Sequence, residues 1–406
     1  MSTILCPETE QLIAAQIPDL IRIRRELHAN PQIGFEETFA SERVQKELGA
    51  AGVPFQAGVA ETGVVGWIEP PGAGRDCDAI ALRADMDALP MQERTGLPYA
   101  SQTPGRMHAC GHDGHTAILI GAVRVLARLR DRLPRPVKFL FQPAEEGRGG
   151  GAKMVQDGAL EERVGGRKVG IIFGLHGWSG LAVGTVSTRI GPIMAGADRF
   201  DIVVHGKGGH GAAPHRTADP ILAAAHVVTA LQSIVARNVD PTSNAVVTVG
   251  TLHAGTAINI IPDSARIEGT VRTLDDDVAK TVHDRLTAIA QQVAGGLGCS
   301  ADVKIVRYYP LTANDPGATE CFFRVARDVL GEPAVTTWQK PEMGSEDFSF
   351  YARQVPACFF FLGIRPPDRA ECPGPHSSNF DFNDDAIITG VRLFVALALS
   401  ACETKR

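Results

Sequence analysis

The spacing of apolar residues predicts alternating helices and strands over the first 196 residues of the chain. Near the start, apolar side chains recur at helical intervals, at Ile13, Ile17, Leu20, Ile23 and Leu27. This pattern predicts an amphipathic helix that Pro31 ends, and a second helix is expected over 116–130. Short apolar runs typical of buried strands lie at 64–68, 79–82, 137–141 and 170–175. The alternation predicts an α/β domain with a mostly parallel sheet.

From about residue 197 the pattern changes. The predicted elements follow the order strand, helix, strand, strand, helix, strand, at 200–204, 219–237, 245–252, 265–271, 282–293 and 303–305. The order β-α-β-β-α-β is typical of a compact α+β module. After Pro310 the α/β pattern returns, with a helix at 318–330, a strand at 358–362 and a terminal helix from Asp384. We therefore predict one domain formed by 1–196 and 311–406, interrupted by an inserted domain at 197–310.

Length and charge narrow the possible functions. A chain of 406 residues is long enough for two or three domains. The formal net charge is −6 and no basic block stands out, so nucleic acid and anionic membranes are not the expected partners. The N-terminal sequence lacks a signal-peptide pattern, and no apolar run reaches the roughly 18 residues of a membrane span. These features predict a cytoplasmic protein.

The eight cysteines are scattered and form no C-x-x-C pair. In a long chain of this kind, a disulfide framework is not expected and reduced thiols are the default. Cys6 and Cys402 lie near the ends of the chain and are given no role.

Residues with metal-binding side chains concentrate in four segments. The segment 107–116, MHACGHDGHT, holds His108, Cys110, His112, Asp113 and His115. The other three segments carry Glu145 with Glu146, His176, and His376. Each segment follows, or could follow, the carboxyl end of a strand, where open α/β sheets place their sites.

Imidazole, thiolate and carboxylate are ligands that suit a transition-metal ion. Adjacent side chains in an extended segment point in opposite directions. One member of the Glu145–Glu146 pair could therefore bind a metal while the other moves a proton on the substrate side. The residues alone also allow a plainer interpretation, with hydrogen-bonded histidines, an inert buried cysteine and a solvated Glu-Glu pair. That interpretation suits five histidines better than a ligand role: His28, His205, His226, His253 and His283.

Seven segments, in order, resemble the M20 metallopeptidase family in its amidohydrolase branch. They are RADMDALP (83–90), HACGHDGHT (108–116), FQPAEEG (141–147), GLHG (174–177), GKGGHGAAPH (206–215), INIIPD (258–263) and MGSEDF (343–348). The branch includes hippurate hydrolases, N-acyl-amino-acid aminoacylases and auxin-conjugate hydrolases. The resemblance covers nearly the whole chain and implies a zinc-peptidase-like α/β catalytic domain with an inserted lid and dimerisation domain.

The resemblance also implies roles for individual residues. The implied metal ligands are Cys110, His112, Glu146, His176 and His376. Glu145 is the implied general base and acid, and Asp87 is implied to orient an imidazole ligand. In the inserted domain, His210 is implied to polarise the substrate carbonyl. Asn259 and Arg272 are implied contacts of the substrate carboxylate.

The implied activity is hydrolysis of the amide bond of an N-acyl amino acid by a homodimer. Two divalent ions per subunit are implied, and zinc, manganese, cobalt and nickel all stay open. A metallo-exopeptidase or a deacetylase of the same family is the alternative. Dipeptidase and carboxypeptidase members carry a histidine where Asp85 stands and a bridging aspartate where Cys110 stands, so Asp85 is given no role.

Two interpretations from other classes also remain. Cys110 with His112 could form a cysteine hydrolase, although that leaves Glu145 and Glu146 without a role. A non-catalytic metal-binding protein is also possible, although it would not need Glu145 as a base. Chelator-sensitive hydrolysis of an amide separates these classes.

Overall fold

Two compact units make up the computed structural model, which describes residues 2–72, 74 and 77–402. The first unit comprises Met1–Ile193, Ala313–Lys340 and Asp347–Arg406, and the second comprises Met194–Thr312 and Pro341–Glu346. Within the described ranges, no helix combines the length and the apolar character that crossing a bilayer requires.

Helices and strands alternate along both units. The helices are α1 (Pro7–Ala29), α2 (Thr38–Ala50), α3 (His112–Arg128), α4 (Gly150–Asp157), α5 (Pro220–Leu231), α6 (Ser233–Asn238), α7 (Asp276–Gly296), α8 (Pro316–Leu330), α9 (Ser349–Ala352) and α10 (Ala386–Leu399). The strands are β1 (Phe55–Val59), β2 (Gly63–Ile68), β3 (Ala79–Asp85), β4 (Val137–Gln142), β5 (Val169–Ala182), β6 (Val186–Thr188), β7 (Gly191–Met194), β8 (Gly196–His205), β9 (Gly209–His210), β10 (Ala245–Ala254), β11 (Ile260–Ile261), β12 (Ser264–Thr273), β13 (Ser300–Tyr309), β14 (Thr312–Asn314), β15 (Val335–Thr337) and β16 (Ala357–Arg365).

The first unit is built on an eight-stranded sheet with the order β1-β2-β4-β3-β5-β16-β6-β15. The central strands β4, β3, β5 and β16 run parallel, and antiparallel pairs lie on both sides of them. Every residue of β3 and β4 is buried, as expected for central strands of a sheet that is covered on both faces. Helices α1, α3 and α10 pack on one another. The prediction of an α/β domain is confirmed, and its sheet is more mixed than expected.

The second unit contains a four-stranded antiparallel sheet with the order β10-β12-β8-β13. Along β8 the buried side chains alternate, as Phe200, Ile202 and Val204 pack into a core with residues of α5 and α7. The predicted β-α-β-β-α-β order is present, with the short strands β9 and β11 added. The helix expected over 219–237 is interrupted after Leu231, giving α5 and α6.

A disulfide joins Cys321 in α8 to Cys402, beyond the end of α10. The expectation that the cysteines are reduced is wrong for this pair. Their Cα atoms lie 5.7 Å apart although 81 positions separate them in sequence. Packing of α8 against α10 brings the two residues together, and cysteine spacing carries no sign of that packing.

Candidate metal centre and active site

The segment 107–116 turns sharply into a helix, and this turn presents two of the predicted ligands. Gly111 has φ of 90°, a conformation that favours glycine, and α3 begins at the next residue, His112. The turn places Cys110 just before the helix and His112 in its first turn. Both residues are buried.

All five predicted ligands come together in the first unit. The Cys110 Sγ atom lies 3.3 Å from His176 Nε2, and His376 Nε2 lies 3.1 Å from Glu146 Oε1. Candidate ligand atoms of Cys110, His112 and His176 lie within 4.8 Å of one another, as do those of Cys110, Glu146 and His376. Cys110 therefore belongs to both groups. His176 lies inside β5 rather than at a strand end, because β5 continues to Ala182.

Two buried carboxylates hold the backbone that carries Glu145 and Glu146. Asp87 accepts hydrogen bonds from the Glu145 amide at 3.0 Å and the Glu146 amide at 2.9 Å. Glu37 accepts one from the Ala144 amide at 2.8 Å. Ala144 has φ of 55°, an uncommon conformation for a residue with a side chain. The carboxylates therefore stabilise a strained segment in which three successive amides are held.

Asp87 also contacts a predicted ligand. The Nδ1 atom of His112 lies 2.9 Å from the Asp87 carbonyl oxygen and 3.2 Å from Asp87 Oδ1. A donor at Nδ1 leaves Nε2 unprotonated in the neutral ring. His112 Nε2 is buried and has no hydrogen-bond partner among the described residues. Asp87 thus contacts both His112 and the segment that carries the proposed base.

Burial and neighbouring charges shift the pKa values of these groups strongly. Burial raises the pKa of the Cys110 thiol well above its usual value, and Glu146 and Glu145 raise it further. Burial lowers the pKa of His176 to about 3, with His115 adding to the effect. For His112, burial favours the neutral ring, but Asp85 and Asp87 outweigh it and raise the pKa to about 10. The pKa values of the two predicted histidine ligands therefore shift in opposite directions: that of His176 falls and that of His112 rises.

This donor set fits a divalent transition-metal ion. A buried thiolate beside two carboxylates is unfavourable unless a cation compensates their charge. The orphaned Nε2 atom of His112 and the His176 Nε2 beside Cys110 are the nitrogen donors that such an ion takes. Thiolate, imidazole and carboxylate together are the ligands expected for this class of metal.

Glu145 is 6% exposed and lies next to the ligand set. One of its oxygens lies within 4.8 Å of candidate ligand atoms of His112 and Glu146. Its Oε1 atom also accepts a hydrogen bond from the Asp347 amide at 3.4 Å. The carboxylate is therefore close enough to serve chemistry at the centre while remaining distinct from Glu146, which pairs with His376.

The other predicted site residues, His210, Asn259 and Arg272, lie in the second unit. The Ala212 amide donates to His210 Nδ1 at 3.0 Å, so a neutral His210 ring carries its proton on Nε2. His210 pairs with Ile260 in the β9–β11 ladder, one residue from exposed Asn259. Arg272 lies in β12 and is half-buried.

Several buried residues around the centre were not predicted from the sequence. Glu37 belongs to none of the motifs quoted above, so nothing in the sequence distinguishes it from an ordinary surface glutamate. Asp85, which received no role, ends the apolar strand β3 and pairs with His115 at 2.7 Å. Arg83 donates to Asp85 at 2.6 Å and to Asp347 at 2.9 Å. A charged residue within an apolar strand is the available signal, because such a residue needs a buried partner.

Comparison with known proteins identifies the family to which the chain belongs. A sequence profile of the peptidase family M20/M25/M40 matches residues 81–400. The chain is 42% identical over 383 residues to IAA-amino acid hydrolase ILR1-like 4 of Arabidopsis thaliana, covering 93% of this chain and 84% of that protein. It is 38% identical over 390 residues to N-acetylcysteine deacetylase of Bacillus subtilis, covering 95% and 97%.

A solved structure shows the same architecture. The Bacillus subtilis YXEP protein, described as a dinuclear metal-binding peptidase of the M20 family, superposes with a TM-score of 0.81. It is 34% identical to this chain and covers 95% of it and 98% of itself. The fold and the comparisons define a hydrolase that acts on amide bonds and binds divalent metal ions. The chain belongs to peptidase family M20/M25/M40.

Proposed function

We propose that this protein hydrolyses the amide bond of N-acyl amino acids and releases a carboxylic acid and a free amino acid. The observation that carries the proposal is a buried carboxylate, Glu145, beside a cluster of thiol, imidazole and carboxylate groups that could hold a metal ion. The names of the two sequence relatives support the substrate class, since one acts on IAA-amino acids and the other on N-acetylcysteine.

The proposed metal ligands are Cys110, His112, Glu146, His176 and His376, which would hold two divalent ions per subunit. Zinc, manganese, cobalt and nickel are the candidates. Such an ion, when bound, lowers the pKa of water to about 7 and polarises a carbonyl group. Asp87 keeps the His112 ring oriented through its hydrogen bonds.

Glu145 is the proposed proton carrier. Its carboxylate takes a proton from the attacking water as the new carbon–oxygen bond forms, and delivers that proton to the amine nitrogen as the carbon–nitrogen bond breaks. The Asp87 contact with the Glu145 amide fixes the backbone from which this side chain projects. His210 would donate from Nε2 to the carbonyl oxygen as negative charge develops there. Asn259 and Arg272 would bind the substrate carboxylate.

Substitution of Glu145 by Gln tests the proton-transfer role. We expect kcat on an N-acyl amino acid to fall by about 10²–10⁴-fold while bound metal, measured by elemental analysis, stays normal. Cys110→Ser should instead lower the metal content. Exposed Glu42 provides the control, and Glu42→Gln should leave both quantities unchanged. A near-normal kcat would remove Glu145 from the mechanism, and loss of metal in Glu145→Gln would mean that Glu145 and Glu146 exchange roles.

The alternative, a metallo-exopeptidase, is favoured by the peptidase description of the YXEP structure. A substrate panel separates the two activities. Acetyl, benzoyl and indolylacetyl amino acids should be hydrolysed in a chelator-sensitive manner, and dipeptides with a free amino group should not. Preference for the dipeptides would instead establish the exopeptidase.

A further inference from the structure

Asp85 and His115 form a buried pair beside the proposed ligands, and neither has a role so far. Both are completely buried. His115 Nδ1 lies 2.7 Å from Asp85 Oδ1, and the Gly177 amide donates to His115 Nε2 at 2.8 Å. Because Nε2 accepts the hydrogen bond of the amide, the proton of the neutral ring lies on Nδ1, which donates to Asp85. The pair therefore fixes the tautomer of His115.

Gly177 connects this pair to a proposed metal ligand. The His176 Nδ1 atom donates to the Gly177 carbonyl oxygen at 2.8 Å, while its Nε2 faces Cys110 Sγ. The amide and the carbonyl of Gly177 are thus both held, one by His115 and the other by His176. The two imidazole rings also meet edge-on, with centroids 4.9 Å apart. Rotation of the Gly177 backbone would move its carbonyl oxygen, which is the acceptor that keeps the His176 proton on Nδ1.

The pair is itself firmly anchored. The second carboxylate oxygen of Asp85 accepts a hydrogen bond from Arg83 at 2.6 Å, and the Thr116 hydroxyl donates to the Asp85 carbonyl at 2.8 Å. Arg83 is in turn fixed by Asp347 and by Gln142. Buried charges held by several partners at once have little freedom to move.

Asp85 and His115 could instead bind a metal ion directly, since ligand atoms of Asp85, His112 and His115 lie within 4.8 Å of one another. The contacts argue against that alternative. Both ring nitrogens of His115 and both carboxylate oxygens of Asp85 already have hydrogen-bond partners at 2.6–2.8 Å. An ion would have to displace at least one of them.

We propose that Asp85 and His115 are positioning residues which set the tautomer and ring orientation of His176 through the Gly177 backbone. They act on the metal through His176 and are not themselves ligands. The inference rests on the proposed role of His176 as a ligand. Outer partners of metal-binding histidines typically change metal affinity by about 10–100-fold when they are removed.

Two substitutions of His115 separate its two contacts. In His115→Gln, the side-chain oxygen can take the place of Nε2 and accept the hydrogen bond of the Gly177 amide. In His115→Asn, the shorter amide can replace Nδ1 toward Asp85 but does not reach Gly177. We expect Zn²⁺ affinity, measured by competition with a chromophoric chelator, to fall about 10–100-fold in His115→Asn and by less than about 5-fold in His115→Gln.

Nitrogen NMR of the His176 ring in chelator-treated protein gives a readout independent of activity. The wild type and His115→Gln should show the proton on Nδ1, and His115→Asn should show a mixture of tautomers. A wild-type proton on Nε2 would overturn the proposal without any variant. Equal affinity loss in both variants, or loss in neither, would also overturn it, and loss of a whole metal equivalent would make His115 a direct ligand. A protein that binds Zn²⁺ as expected but cleaves no amide would refute the proposed function and leave this inference intact.

Discussion

Glu37 shows how a residue outside the metal centre can shape it. Its carboxyl group is completely buried, accepts a hydrogen bond from the Thr62 hydroxyl at 2.6 Å and holds the amide of strained Ala144. Burial raises the pKa of Glu37 to about 7, and the nearby charge of Asp87 adds to this shift. Glu37 therefore holds the backbone next to Glu145, the proposed base. Its buried surroundings favour the protonated form of its own carboxyl group.

This pKa gives a prediction for stability. As pH rises, the unfolded chain loses the Glu37 proton near the ordinary glutamate pKa of 4.5, whereas the folded chain keeps it until about pH 7. The contribution of Glu37 to stability is therefore complete below pH 4.5 and is lost as pH rises through about 7. Gln imitates the protonated acid and does not titrate. From about pH 4.5 to about pH 8, Glu37→Gln should gain on the order of 3 kcal/mol in unfolding free energy relative to the wild type.

Urea unfolding in the presence of a chelator at both pH values measures this change. Exposed Glu42 in α2 is the control, and Glu42→Gln should not reproduce the gain. A difference between Glu37→Gln and the wild type that is the same at both pH values would contradict the raised pKa.

At the level of single residues, the proposed ligands are easier to recognise in the sequence than the residues that contact them. Cys110, His112 and His376 stand in motifs whose donor atoms suggest metal binding. Glu37 acts through the backbone of Ala144, and His115 acts through Gly177. Contacts with backbone amides depend on the folded path of the chain and leave no pattern of spacing.

At the level of elements, helix α3, which carries His112, packs closely against two other helices at Gly121. A side chain at Gly121 would come within 2.6 Å of Leu20 in α1 and 2.7 Å of Val391 in α10. The glycine therefore allows three helices to pack closely. Gly49 in α2 shows the opposite situation. Apart from its chain neighbours and the backbone of its own helix turn, no described atom lies within 4 Å of the position that a Cβ atom would take.

These two glycines predict opposite effects of one substitution. Gly121→Ala gains helix propensity but must displace packed side chains, and we expect it to lower the unfolding free energy by about 1–3 kcal/mol. Gly49→Ala should raise the unfolding free energy by up to about 1 kcal/mol, since alanine restricts the unfolded chain and has space in the folded one. Thermal unfolding of both variants under the same conditions measures the contrast. Stabilisation by Gly121→Ala would show that the helices have room to separate.

Long periodic elements are predicted well from the sequence, and short or polar ones are not. Strand β4 begins at the predicted residue, Val137, and helix α1 ends just before Pro31 as predicted, although it begins earlier than the predicted apolar stripe. Helix α2 escapes prediction because its buried residues include Ser41 and Glu47, so polar side chains replace part of its apolar stripe. The predicted strand is shorter than β5 because the last part of β5, from Trp178 to Ala182, is only partly buried.

For the whole molecule, we expect a homodimer in which His210 contributes to catalysis. Loss of one oxyanion donor typically lowers kcat by about 10²–10³-fold, so His210→Ala should show that loss with normal metal content. If the donor serves the partner's centre, mixing His210→Ala with Glu145→Gln subunits should restore part of the activity, since a heterodimer then has one complete site. Light scattering checks the assembly.

Two results would count against this picture. An unchanged kcat in His210→Ala would exclude the residue from catalysis in either subunit. A protein that stays monomeric across micromolar concentrations would exclude the dimer. No recovery on mixing, with a dimer present, would place His210 in the centre of its own subunit.

The order of strands in the first unit also governs how the protein is made. Strand β16 lies between β5 and β6, yet it is synthesised only after the entire stretch Met194–Thr312. Until it leaves the ribosome, the growing chain has two inner strand edges with unpaired amides and carbonyls, which are open to pairing with other chains. His376 follows later still, so a nascent chain cannot complete the proposed metal centre until translation is almost finished. The cell must therefore protect a long unfinished sheet, and the risk of aggregation is set by the timing of synthesis as much as by final stability.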